Sequence, residues 1–163
     1  MAAQIKNRHR LKKREIKQIL EWIKDFDNKL FLNIQKAMVE TGVLDGYKII
    51  LIDGEIDFLV IEDKIFFTLH GIYRHNPEKH FVVVDMGAVG FITNGADIMA
   101  PGIVDADISI MEKDPVWICD ERHRKPLAVG MALMNGEKMI KEKHGKAVKN
   151  IHHVGDRLWS LIK

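Results

Sequence analysis

The chain is 163 residues long, 47% hydrophobic and 29% charged, enough for one ordinary domain or two small ones, and its composition is neither that of a disordered polypeptide nor that of a collagen. Its longest apolar runs, such as Ile49 to Ile52 and Phe58 to Ile61, are far too short for a membrane span. The basic start lacks the apolar stretch of a secretory signal, and the single cysteine, Cys119, excludes an intramolecular disulfide, so a reducing, cytoplasmic compartment is expected, with no membrane partner.

The net charge of +2 hides a division along the chain. Residues 1–17 hold seven Lys/Arg against Glu15, residues 122–163 hold ten against Glu137, Glu142 and Asp156, and the stretch between them holds 8 basic against 19 acidic residues. Both ends are basic and the middle is acidic. Such segregation suits a polyanionic partner, with solubility and helix-surface charge as the alternative reading.

After the basic lead, Ile16, Ile19, Leu20 and Ile23 recur at helical spacing and predict an amphipathic helix over residues 12–24. Cations in its first turn oppose the helix dipole, so helix stability does not explain them. Phe31, Ile34, Ala37 and Met38 predict a second helix with Gly42 as its C-cap. YKIILID, IDFLVIE and KIFFTLH read as three strands separated by turns at Asp53-Gly54 and Glu62-Asp63. GIYRHNPEKH is polar and is expected to separate a domain of residues 1–77 from one of residues 78–163.

Beyond it, FVVVD predicts a buried strand and MGAVGFITNGA a short helix stopped at Asn94-Gly95, while Pro101-Gly102 predicts a turn between two short strands. PVWICDE and KPLAVGMALM read as strands joined through Arg122, His123, Arg124 and Lys125. GEKMIKEK reads as a second short helix, and KAVKNIHHV and RLWSLI as two final strands. Many short strands with closely spaced turns and two small helices suggest a compact barrel.

No nucleotide-binding, nucleophile-elbow or zinc-protease motif is present. The eight histidines are scattered and Cys119 has no partner at metal-ligand spacing, so neither a metal, a cofactor nor catalysis is expected. Cys119 lies in an apolar strand and reads as core, as do Trp117, Trp159, Met131 and Met134; Asp53, Asp57, Asp105 and Asp107 read as turn residues. What remains is surface chemistry. Glycines at 87, 90, 95 and 102 permit close approach of a ligand to the backbone, and Asn94-Gly95-Ala96 is expected to leave main-chain N–H groups bare for phosphate oxygens.

VDMGAVGFITNGADIMAPGIVDAD, KPLAVGMALM and GKAVKNIHHVGDRLW together resemble the PUA domain, named for pseudouridine synthase and archaeosine transglycosylase, over roughly residues 79–157. With the N-terminal region, the chain resembles the malignant-T-cell-amplified-sequence family and its stand-alone archaeal relatives. The resemblance implies an α+β protein in which a small α/β pre-PUA domain precedes a PUA barrel.

It also implies non-catalytic binding of structured RNA, tRNA or rRNA, with the small ribosomal subunit and a translation-factor protein as further partners. The matching contact positions are the helix from Gly87, with Thr93 and Asn94 at its end, the loop with Gly95, Ala96, Pro101 and Gly102, and the terminal strand with Lys149, His152 and His153. Of the two histidines, one is expected to face inward and the other outward. Positions 86 and 90, often lysine in eukaryotic relatives, are Met86 and Gly90 here, so cationic contacts are expected instead from Arg122, Arg124, Lys125 and the lead residues Arg8, Arg10, Lys12, Lys13 and Arg14. Two other roles compete: an accessory module of an RNA-modifying enzyme, and a protein scaffold whose acidic middle docks a basic partner.

Overall fold

The computed structural model describes residues 4–162, which divide into two compact units, one ending at Lys79 and the next beginning at His80. The first unit runs β1 (Lys6–Arg10), α1 (Lys13–Phe26), α2 (Asn28–Gln35), β2 (Val39–Leu44), β3 (Tyr47–Ile52), β4 (Glu55–Ile61), β5 (Lys64–Phe67) and α3 (Leu69–His75). Its strands form one antiparallel meander in the order β1-β2-β3-β4-β5. The helical spacing of α1 buries Ile19, Ile23 and Phe26 on one stripe, and Trp22 and Phe26 stack on each other while meeting Phe58 and Phe67 of β4 and β5. Asp27 then caps α2 by accepting the N–H groups of Lys29 and Leu30.

One expectation for this unit, the reach of the second helix, is corrected, and two further stretches take forms that the sequence did not predict. The basic lead is not plain decoration of a helix: residues 6–10 are an edge strand paired with β2, with every residue exposed. The second helix stops at Gln35 instead of reaching Gly42, because Met38 exchanges hydrogen bonds with Asp53 and the chain turns into β2, where Gly42 stands in mid-strand. Five of the ten residues in the polar stretch 71–80 continue α3, which Thr68 starts by accepting the Gly71 N–H at 2.9 Å while donating to Ile56 O at 2.7 Å.

The second unit runs β6 (Phe81–Val84), α4 (Met86–Thr93), β7 (Ile98–Met99), a 3₁₀ turn (Ala100–Gly102), β8 (Ile103–Ala106), β9 (Pro115–Asp120), β10 (Pro126–Ala132), α5 (Gly136–Lys141), β11 (Lys146–His153) and α6 (Arg157–Ile162). Its strands make a six-stranded half-barrel sheet in the order β7-β11-β10-β9-β6-β8, antiparallel except for the parallel β6–β9 pair. Val82, Val84, Ile118, Ala128 and Val148 fill its core, closed by Ile92 of α4 and Met139 of α5.

β10 and β11 meet at a bulge: Val129 faces His152 while Gly130 faces Asn150. Gly130 is required there, since a Cβ would lie 2.3 Å from the Lys149 carbonyl oxygen. The segment RLWSLI, expected as a strand, is a helix, and among the described residues the unit carries three helices rather than two. Asp156 decides it by accepting the Trp159 N–H at 2.8 Å through its side chain and the Ser160 N–H through its main chain.

Candidate nucleic-acid interface

α4 is a helix without a charged residue. Asp85 starts it by accepting the Ala88 N–H at 3.0 Å. Its inner side buries Ile92, and its outer side leaves Phe91 71% exposed. Across from it lies the loop through Pro101 and Gly102, which comes close enough that a Cβ on Gly102 would sit 3.2 Å from that of Ala88. Between them runs an open groove of about 350 Å³, walled by Ala88 and Phe91 on the helix and by Met99 and Pro101 on the loop, with the carboxylates of Asp85 and Asp97 also in its lining.

The loop amides expected to be bare are occupied. Gly95 N–H donates to Ile92 O and Ala96 N–H to Phe91 O, both at 3.0 Å, and Asn94 N–H donates to Phe91 O at 3.2 Å. The Thr93 hydroxyl turns back onto Val89 O and Gly90 O, and the Asn94 side-chain amide onto Gly90 O. These groups finish the helix, whose last carbonyls need donors, and so leave none for phosphate. Residues 94–96 and Pro101 remain on the surface, while Thr93 and Gly102 are half-buried. Gly95 holds φ at +95°, and a Cβ there would meet the His153 ring at 3.2 Å, so His153 stands against the loop.

Of the two histidines, His152 faces inward: it is 1% exposed and its Nδ1 sits 2.9 Å from Asp156 Oδ2. Burial removes it from any ligand contact. His153, half-buried, is the outer one.

Two groups of cations in this unit bear on the groove. Beside the loop, Lys146 Nζ pairs with Asp97 at 3.3 Å, Lys143 Nζ donates to Ile103 O at 3.4 Å, and Lys149 is exposed on β11. Lys146 lies directly across from Met99 in the β7–β11 pairing, and Gly145 O accepts the Ala100 N–H, so this stretch is bound to the groove's loop wall. Lys143 and Lys146 were not singled out in the sequence; the C-terminal excess of basic residues was the only signal for them. Phe91 and Met99 were likewise missed, being apolar residues whose exposure no local pattern reveals.

The second group is that of the β9–β10 turn, with Arg122, Arg124 and Lys125. The Asp120 carboxylate accepts the N–H groups of Arg122, His123 and Lys125 at 2.9, 2.6 and 3.2 Å, and Glu121 N–H donates to Val84 O, which sets the turn at the junction of β6 and α4. The Arg124 guanidinium stands 5.9 Å from the centre of the Phe81 ring. Beneath it, burial pushes the Cys119 thiol up to about 11, against the pull of Arg124, which leaves the thiol protonated and inert.

For Asp107, Asp120 and Asp156 alike, burial works to raise the carboxyl's pKa and is outweighed by accepted hydrogen bonds, so each lies below the ordinary 3.8. A carboxyl depressed in the folded state contributes stability that is present above its unfolded value and lost as pH falls through its folded value. The urea midpoint is therefore expected to be flat between about pH 5 and pH 8 and to fall below about pH 4, with Asp120→Asn flattening the acid limb. A midpoint that holds steady or rises into acid overturns this.

In the first unit, Arg8 is paired with Glu40 through two bonds of 2.9 Å; that hydrogen bonding raises the Arg8 pKa and lowers that of Glu40. Arg10 Nη2 lies 3.3 Å from Met38 Sδ. Lys12, Lys13 and Arg14 lead into and open α1 and make no ion pair among the described residues. The expectation that Asp57 serves a turn is also corrected: it is fully buried in β4, 2.9 Å from Arg74 Nε and 2.6 Å from His75 Nε2.

A half-barrel sheet with a helix and glycine-bearing loop beside its parallel strand pair defines the second unit as a PUA domain, and the PUA domain family matches residues 80–154. A domain of unknown function, DUF1947, matches residues 7–75. The chain is 44% identical to an uncharacterized protein of Methanocaldococcus jannaschii, over 97% of this chain and 98% of that one. It is 30% identical to translation machinery-associated protein 20 of Saccharomyces cerevisiae, over 72% and 68%. The crystal structure of a hypothetical protein from Pyrococcus horikoshii superposes with a TM-score of 0.88 at 37% identity, covering 96% of this chain and 99% of that one. The chain belongs to the family of PUA-domain proteins that includes translation machinery-associated protein 20 and the malignant T-cell-amplified sequence proteins.

Proposed function

We propose that this protein is a non-catalytic RNA-binding protein that grips structured RNA, a tRNA or small-subunit rRNA, in translation initiation or ribosome recycling. The observation that carries the reading is a largely apolar groove between α4 and its loop, whose two carboxylates, Asp85 and Asp97, are held by hydrogen bonds and by Lys146, with cations beside its loop and at the β6–α4 junction. Lys143, Lys146, Lys149 and His153 lie beside the loop and Arg122, Arg124 and Lys125 at the β6–α4 junction. Lysine and arginine neutralise phosphates, while Phe91 and Met99 offer an apolar face to a base or ribose.

Because the amides of residues 94–96 are spent, the grip on the RNA backbone is assigned to the cationic side chains. In the first unit Arg10, at the end of β1, and Lys12, Lys13 and Arg14, at the opening of α1, supply a second cationic surface, and the helix dipole gives the last three no return, which supports a ligand-binding role. Asp85 and Asp97 are committed to Ala88 and to Asn150 and Lys146, so no catalytic step is assigned to the groove.

Translation is favoured over RNA modification because of the relative named for its association with the translation machinery. Cosedimentation with the small ribosomal subunit is the supporting outcome; copurification with a pseudouridine synthase or transglycosylase in its place would move the protein to the modification machinery. Affinity for a tRNA transcript is expected to fall steeply with salt, with a log-log slope near −3.5 for about five neutralised phosphates. A nearly flat salt dependence removes the mechanism.

A further inference from the structure

We infer that Asn150 is the positioning residue of the α4–β7 loop, holding it in the shape that meets RNA; the second half of this rests on the function proposed above. Asn150 lies on β11, far along the chain from what it binds. Its side-chain amide donates to Ile92 O at 3.1 Å and to Ala96 O at 2.9 Å, and its main-chain N–H donates to Asp97 Oδ1 at 3.0 Å. The three bonds grip both ends of the turn that finishes α4. Without them that turn would hang on hydrogen bonds local to the helix end, and helix ends fray.

The bulge at this point of β11 is what turns Asn150 toward α4, as an extra strand residue re-aims its neighbours. Asp97 extends the grip: one oxygen takes the Asn150 N–H and the other takes Lys146, so a groove wall and a cation are set by one residue.

Chemistry fixes which way the amide points. Both side-chain neighbours are carbonyl acceptors, so only the NH2 group can face them. The consequence is a buried Oδ1 with no partner among the described residues. An unpaired buried acceptor costs free energy, and a side chain that merely filled the space would carry no such cost. Asn150 therefore acts through its two donors.

The test uses Asn150→Ala and Asn150→Asp in the full chain, with two readouts: native-state amide exchange and affinity for a tRNA transcript. In Asn150→Ala, exchange at Gly95 and Ala96 is expected to accelerate more than at the core amides of Val83 and Ile118, and tRNA binding to weaken about tenfold. A general loss of stability would speed all four alike. Asn150→Asp adds a pH signature. Its carboxylate is repelled by the two carbonyls at about pH 8, and its protonated form regains one donor toward about pH 5, so its affinity relative to wild type recovers in acid while that of Asn150→Ala stays flat.

Equal acceleration at all four amides, a flat relative pH profile for Asn150→Asp, or tRNA binding unchanged despite faster loop exchange each overturn the inference. If the wild-type protein itself fails to bind tRNA, the RNA reading falls, and the exchange data still decide whether Asn150 holds the loop.

Discussion

Replacing Lys143, Lys146 and Lys149 together by glutamine is expected to lower tRNA affinity about 100-fold near 0.1 M salt and to flatten the log-log salt slope by about 2, since each neutralised phosphate contributes about 0.7 to that slope. The three side chains lie beside the groove's loop, Lys146 through Asp97, Lys143 through Ile103 O and Lys149 on the strand that pairs with β7. All three are exposed, so the fold should be little affected, each substitution shifting stability by about 0.5 kcal/mol or less. Filter binding or fluorescence anisotropy at several salt concentrations reads both quantities. A loss of affinity with an unchanged slope would mean that the lysines act by shape and not by charge; no loss at all would take the groove out of the RNA interface.

The second large effect belongs to stability. Asp57→Ala is expected to cost about 3 kcal/mol and to lower the melting temperature of the first unit by roughly 15 °C, because breaking a buried ion pair from one side strands the partner charge. Asp57 is fully buried and joins β4 to α3 through Arg74 and His75, and Arg74 keeps a third of its side chain in water, which places the cost at the low end for such pairs. The contact is close on the backbone side as well, where a Cβ on Gly71 would come 2.2 Å from Asp57 O. Asp57→Asn keeps one acceptor and should lose less. Calorimetry decides: a shift under about 5 °C for the alanine variant would show that Arg74 and His75 are as well solvated without the carboxylate as they are paired with it.

The strands legible in the sequence were those whose own residues argue for them, such as YKIILI and FVVV, where β-branched and apolar side chains run together. The basic residues 6–10 hold no such run; they form a strand because β2 offers its edge. RLWSLI carries apolar residues that suit either period over so short a span, and the cap from Asp156 settles it.

At the candidate site, the glycine loop was legible because Gly95 and Pro101-Gly102 announce turns whatever surrounds them. Whether its amides were free was not, since their acceptors are carbonyls presented only once α4 has formed. The role of Asn150 was further out of reach, as its partners lie 53 to 58 residues earlier.

By itself, then, the order of residues determined the family, the two-part α+β architecture and the basic ends of the chain, because these depend on composition, short-range periodicity and a long motif. The tertiary structure alone decided which cations stand beside the groove, which histidine is withdrawn and which loop groups are already spent. Those outcomes depend on strand pairing and on hydrogen bonds between distant segments, which no local pattern of side chains encodes.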